Sequence, residues 1–207
     1  MPVEVLLMFF AAAVLLALTP GPDNIFVLTQ SLAYGQKSGV MVTLGLCSGL
    51  LGHTAMVAMG VAALLAASPI LFQSIQWLGV GYLLYLAWQS WFAEVKKESV
   101  TQQPRLTLRK LYLRGVIMNL TNPKVGLFFI AFLPQFVNEA YGSVTHQIIL
   151  LGFLFMVSTL LVFGGIALLA GFYSAKLTHS VSRRVLMNRL VSLVFVLLAL
   201  NLILVNR

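Results

Sequence analysis

The chain has 207 residues, 60% of them hydrophobic and 9% charged, with a mean hydropathy of +0.97. Water-soluble domains carry roughly 25% charged residues, so there is too little charge to cover a solvated surface, and an ordinary cytosolic globule is excluded. The net charge of +8 on so apolar a chain points to membrane orientation before nucleic acid, and the single Cys47 permits neither an internal disulfide nor a two-thiol redox relay.

About 20 apolar residues, rising 1.5 Å each, cross roughly 30 Å of hydrocarbon. The first such run is Val3 to Leu18, with a continuation from Ile25 to Ala33. Next come Gly39 to Ala67, Ile70 to Phe92, Leu111 to Val137, Gln147 to Tyr173 and Val185 to Val205. Six spans use nearly every residue, which leaves no room for a soluble enzyme domain and predicts one transmembrane domain over 1–207. No basic residue precedes the first run and no Ala-x-Ala site ends it, so it is expected to stay as helix 1 rather than leave as a signal peptide.

Orientation follows from Lys and Arg. The first connection holds Lys37; the third holds Lys96, Lys97, Arg105, Arg109, Lys110 and Arg114; the fifth holds Lys176, Arg183, Arg184 and Arg189. These are eleven of the 13 basic residues. The even connections, around Ala67 to Gln73 and Asn138 to His146, carry only Glu139. Odd connections are therefore expected in the cytoplasm, with both termini outside and the basic loops in contact with membrane lipids.

The halves also correspond. Leu18-Thr19-Pro20-Gly21-Pro22 matches Leu120-Thr121-Asn122-Pro123-Lys124, and Tyr34-Gly35 with Gly45 matches Tyr141-Gly142 with Gly152. Three helices per half would insert the second half upside down relative to the first. The expected fold is an all-α membrane protein of six transmembrane helices as two inverted three-helix repeats. Repeat 1 covers about 1–92, a basic cytoplasmic connection about 93–111, and repeat 2 about 112–207, with helices 1 and 4 broken at proline motifs.

From Val3 to Ala33 one straight helix of about 31 residues would run roughly 46 Å, more than a bilayer needs. Pro20 and Pro22 remove amide hydrogens and Gly21 frees the backbone between them, so a break is expected there. It strands carbonyls before Pro20 and N–H groups after Pro22, which is tolerated only against protein or water. Asp23 is expected to cap the new helix start beside Asn24, as a structural cap or as a functional intramembrane acid.

Helix 4 repeats the device with Asn119, Asn122, Pro123 and Lys124. A Lys at the centre of a membrane helix costs about 2.5–3.5 kcal/mol, so Lys124 is not expected to face lipid. Three destinations are open to it: Asp23, a substrate carboxylate, or the cytoplasmic face by snorkelling. His53, in helix 2, is either an interhelical hydrogen-bonder or a proton carrier. Gly45, Gly49 and Gly52 form a small-residue face for close helix packing and leave a homodimer open.

Other chemistry has little support. The Cys47-Ser48-Gly49 segment lacks the Gly-x-Ser-x-Gly frame of a nucleophile elbow, so no enzyme is expected. Five acidic residues, four of them near the surfaces, build no oxygen cage, so neither a metal nor a cofactor is expected. There is no basic helix with interleaved aromatics and no zinc-finger spacing, so no nucleic-acid partner is expected. Trp77, Trp88 and Trp91 are expected in interfacial belts and core packing.

Thr19-Pro20-Gly21-Pro22-Asp23-Asn24, Asn119-Leu120-Thr121-Asn122-Pro123-Lys124 and Pro134-Gln135-Phe136 together resemble the LysE/RhtB translocator family of amino-acid exporters. The resemblance extends to the Gly39 to His53 segment, to Gly79, Tyr82, Leu83 and Leu86, and to the basic third connection. It implies export of small amino acids or derivatives across a bacterial inner membrane, driven by proton influx. The threonine, homoserine and homoserine-lactone branch is the most similar. Many relatives carry an acid in helix 5, where this chain reads Met156-Val157-Ser158-Thr159. Substrate contacts are expected from Pro20, Gly21, Pro22, Asn24, Asn119, Asn122, Pro123 and Lys124, and proton coupling from Asp23, then His53. A passive channel and a non-transporting membrane subunit are the alternatives.

Overall fold

The computed structural model describes residues 1–19, 21–67, 69–92, 106–173 and 181–205. Every regular element among them is helical. The first apolar run forms α1 (Val3–Leu18) and α2 (Pro22–Tyr34), and the second and third form α3 (Gln36–Ala67) and α4 (Pro69–Trp91). The fourth forms α5 (Leu108–Thr121) and α6 (Pro123–Leu127), which runs on through a π-turn at Phe128–Phe132 and a 3-10 turn at Leu133–Phe136. α7 (Val144–Tyr173) and α8 (Val181–Val205) take the last two.

Helices therefore stand at all six expected runs, but as eight elements, because the first and fourth runs are each divided. The axis turns by 63° between α1 and α2, and by 50° between α5 and the Pro123–Phe136 segment. Among the described residues, Gln36–Gly60 and Val144–Ala170 are each long and apolar enough to cross a membrane, and each bent pair adds one more. α4 and α8, 23 and 25 residues long, fill the third and sixth runs.

Several boundaries differ from expectation for one reason: a helix does not stop where its apolar stretch stops. α3 starts at Gln36, α7 at Val144 and α8 at Val181, each inside polar sequence. The basic connection, expected to reach residue 111, ends sooner, because Thr107 caps α5 by accepting from the Lys110 amide at 3.4 Å. Lys96, Lys97, Arg105 and Lys176 lie outside the described residues, as does Pro20.

The main core collects Phe9, Ala12, Ala13 and Leu16 of α1, Leu50 of α3, Leu83 and Leu86 of α4, and Phe155 of α7 around Phe128, Phe129 and Phe132. Aromatic edges lock it, with Phe9 against Phe136 at 5.2 Å and Phe128 against Phe155 at 5.3 Å between centroids. Exposed Leu51, Met59, Trp77, Leu161 and Leu197 leave an apolar outer face, the pattern of a helix bundle in lipid.

α3 packs on both α5 and α7, α1 packs on α7, and α4 packs on α8. The α3 to α5 contact is backbone on backbone. A Cβ at Gly45 would run into the Tyr112 carbonyl and the Gly115 Cα, and one at Gly49 would stand 2.7 Å from the Asn119 side chain. The glycine face expected to leave a homodimer open is thus covered within the chain. Gly35 and Gly142 are the positive-φ residues among those described, at 87° and 97°. Each stands where a divided helix gives way to a long one.

Candidate functional site

In an α-helix the carbonyl of one residue accepts from the amide four residues on. Proline has no amide hydrogen, so proline at 20, 22 and 123 takes the i+4 donor from the Leu16, Leu18 and Asn119 carbonyls; the Thr19 and Asn122 amides turn back to Leu16 and Asn119 instead, at 3.2 and 3.1 Å. Two of the three are served from another helix. Lys124 Nζ donates to the Leu16 carbonyl at 3.3 Å and to the Thr19 carbonyl at 3.0 Å. His53 Nε2, reaching from α3, meets the Asn119 carbonyl at 3.1 Å. A carbonyl only accepts, so the His53 proton on that side sits on Nε2.

Local bonds finish both ends. The Thr19 amide and hydroxyl fold back to the Leu15 carbonyl at 3.0 and 2.9 Å, and Asn24 Nδ2 donates to the Ala17 carbonyl at 2.7 Å. Asn122 caps α6 by accepting from the Lys124 amide at 3.0 Å. With its oxygen so used, its Nδ2 turns to the other break and donates to Asp23 Oδ2 at 2.7 Å.

The breaks are therefore in direct contact, through Asp23 and Asn122 and through Lys124 and the end of α1. Asp23 is 3% exposed and Asn122 7%. Asp23 Oδ1, Asn24 Oδ1 and Asn119 Oδ1 are buried with no hydrogen-bond partner in the protein, which leaves the junction richer in acceptors than in donors.

Some expected placements change. Gly21 holds the cap position of α2 and Asp23 lies inside the first turn, so Asp23 faces Asn122 and does not cap. Lys124 neither snorkels nor bonds Asp23; its ammonium goes to the carbonyls that end α1. Those carbonyls, expected to be open, are filled by Lys124 and Asn24. Pro22 and Pro123 open α2 and α6 with exposed rings, positions that proline tolerates, and act by the amides they lack. Gly21 leaves space: a Cβ there would stand 3.2 Å from Lys124 Nζ.

Backbone acceptors at Leu16 and Thr19 escape a reading based on side chains, though a proline four residues on marks Leu16. A further support, Gln135 Nε2 donating to the Ala131 carbonyl beside Gly79, lies in the third quoted motif. In α7, where this chain departs from the resemblance by carrying no acid, Ser158 and Thr159 are buried and Thr159 Oγ1 has no hydrogen-bond partner in the protein.

Residues 14–206, spanning both breaks, match the LysE type translocator family. The chain belongs to that family. Among curated relatives of this LysE-type translocator, the homoserine/homoserine lactone efflux protein of Salmonella typhimurium is 32% identical over 162 residues, covering 78% of each chain. YrhP, an uncharacterized membrane protein of Bacillus subtilis, is 32% identical over 155 residues, 70% of this chain and 73% of its own. A membrane protein of Vibrio cholerae is 33% identical over 138 residues, 67% of each. No solved structure matches. Family, relatives and apolar helices together make this LysE-type translocator a multi-pass membrane protein.

Proposed function

We propose that this translocator exports a small amino acid or close derivative across the bacterial inner membrane, by proton-coupled alternating access at the junction of its two breaks. The observation that carries the reading is the Asp23 to Asn122 hydrogen bond at 2.7 Å, which joins residues 99 positions apart. Broken helices that meet at depth are how secondary transporters build a substrate site. The efflux relative named for homoserine and its lactone supports the solute class.

In this reading the solute's amine goes to α1 carbonyls and Asp23, and its carboxylate or lactone carbonyl to Lys124 and the amides opening α2 and α6. Asn24, Asn119 and Asn122 supply neutral polar contacts, and Gly21 the clearance. Asp23 exchanges its proton as solute leaves, with His53 second, so proton influx drives antiport. The halves are inverted repeats, odd connections are cytoplasmic, and both termini lie outside. Three observations support the repeat. The order of divided, long and long helix recurs, Gly35 and Gly142 stand at matching corners, and the α3 to α5 packing is mirrored by α7 on α1.

The test is efflux of labelled threonine, homoserine, homoserine lactone and basic amino acids from liposomes carrying purified protein, with and without an imposed pH gradient. Saturable efflux accelerated by the gradient is expected. Non-saturating, gradient-independent flux would make the protein a channel. Flux no greater than from protein-free vesicles would make it a non-transporting subunit.

A further inference from the structure

The carbonyls at the end of α1 already hold a primary ammonium, and it belongs to the protein. Resting on the exporter reading, we propose that Lys124 is a tethered occupant of an ammonium site whose free ligand is the primary amine of the transported solute. Lys124 refills that site whenever the carrier is empty.

The cradle suits a cation. The Leu16 and Thr19 carbonyls lie at the C-terminal end of α1, the negative end of its dipole, and Leu16, its i+4 donor lost to proline at 20, keeps only the Thr19 amide at 3.2 Å, which leaves a lone pair for a further donor. Lys124 gives those two oxygens two of its three N–H groups, at 3.3 and 3.0 Å, from a helix more than a hundred positions away. The surrounding acceptors exceed what that one head satisfies. Asp23 Oδ1 and Asn24 Oδ1 are buried without partners, and Asn24 Oδ1 lies 3.7 Å from the point where a Gly21 Cβ would stand, itself 3.2 Å from Nζ. A second group with several N–H donors and a positive charge, such as an amino acid's ammonium, answers that surplus. Bare Gly21 keeps the site open to it.

The exchange keeps charge in balance. An incoming zwitterion brings one ammonium for the carbonyls and one carboxylate for the displaced Lys124, so the buried net charge is unchanged. When solute departs, Lys124 returns, and the carrier reorients without orphaned carbonyls. N-acylated solutes, lacking the ammonium, are not carried.

Lys124→Ala empties the cradle, and n-propylammonium is the probe that refills it. The thermal midpoint of purified Lys124→Ala is expected to rise with n-propylammonium and not with tetramethylammonium, while wild type responds to neither. Equal shifts in wild type and variant, or none in the variant, overturn the proposal. In liposomes, Lys124→Ala is expected to lower net efflux by about tenfold or more, to lower homoserine exchange by less, because exchange loses the carboxylate partner but never passes through the empty carrier, and to regain net efflux with n-propylammonium. Net efflux within about twofold of wild type, or joint loss of exchange and efflux without rescue, overturns it as well. Lys124→Met keeps the side-chain stem, covers a misfolded alanine variant, and is expected to show the same split without rescue. Should wild type move no homoserine in either mode, the exporter reading fails for that solute, and the thermal measurements still decide the cradle.

Discussion

At the scale of single residues, each proline deletes one amide, and the question is which donor replaces it. For Asn119 the donors are the Asn122 amide and, from another helix, His53, both at 3.1 Å. Removing His53 leaves that carbonyl with the Asn122 amide alone, so His53→Phe is expected to lower stability by about 0.5–1.5 kcal/mol. Pro123→Ala gives the helix back an amide facing that carbonyl, so His53→Phe is expected to cost less in that background. Thermal unfolding of the four proteins reads this coupling, and strict additivity would show that His53 does not stand in for the lost amide. Asp23→Asn keeps a polar side chain opposite Asn122 and removes the titrating group. Gradient-driven efflux in liposomes is expected to fall by about tenfold or more, and by more than exchange does, and parental driven efflux would free Asp23 of proton coupling. The prolines made both breaks legible in the sequence, since a missing amide is a local fact. The donors were not legible, because only packing decides that Lys124 reaches α1 and that His53 reaches α5.

At the scale of elements, the crossing of α3 and α5 sets the position of the second break. Gly45 and Gly115 face each other backbone to backbone, and an added methyl meets main-chain atoms that cannot rotate away. Gly45→Ala is expected to cost about 1–3 kcal/mol, read as a lower thermal midpoint. Gly81→Ala, on α4 with nothing within 4 Å of a new Cβ, is expected to be neutral or slightly stabilising, by under about 1 kcal/mol. Equal effects at the two sites would contradict the tight crossing. Helix 2 was legible as a small-residue face through Gly45, Gly49 and Gly52, but not its partner, because spacing alone does not distinguish a neighbour in the chain from a second copy. Apolar length located α4 and α8 yet missed where helices begin, since Gln36 and Ser182 are helical without being apolar.

At the scale of the whole molecule, the proposed inverted repeat takes its proposed direction in the membrane from the basic residues. Cys47 is buried at 8% exposure, so introduced cysteines can be labelled over a silent background. With a membrane-impermeant maleimide on intact cells, Ser143→Cys is expected to react and Lys37→Cys only after permeabilisation, both positions being exposed. The reverse pattern would invert the orientation. The proposed site for the solute's amine is the foot of α1, opposite Asn122 and Lys124. Solid-state NMR of the reconstituted protein with 15N-labelled homoserine, and 13C carbonyl labels at Leu16 and Thr19, measures that contact directly. Dephasing of the amine signal by these carbonyls, absent when the labels sit at Leu50, is the predicted result. A bound amine that feels neither carbonyl would contradict it.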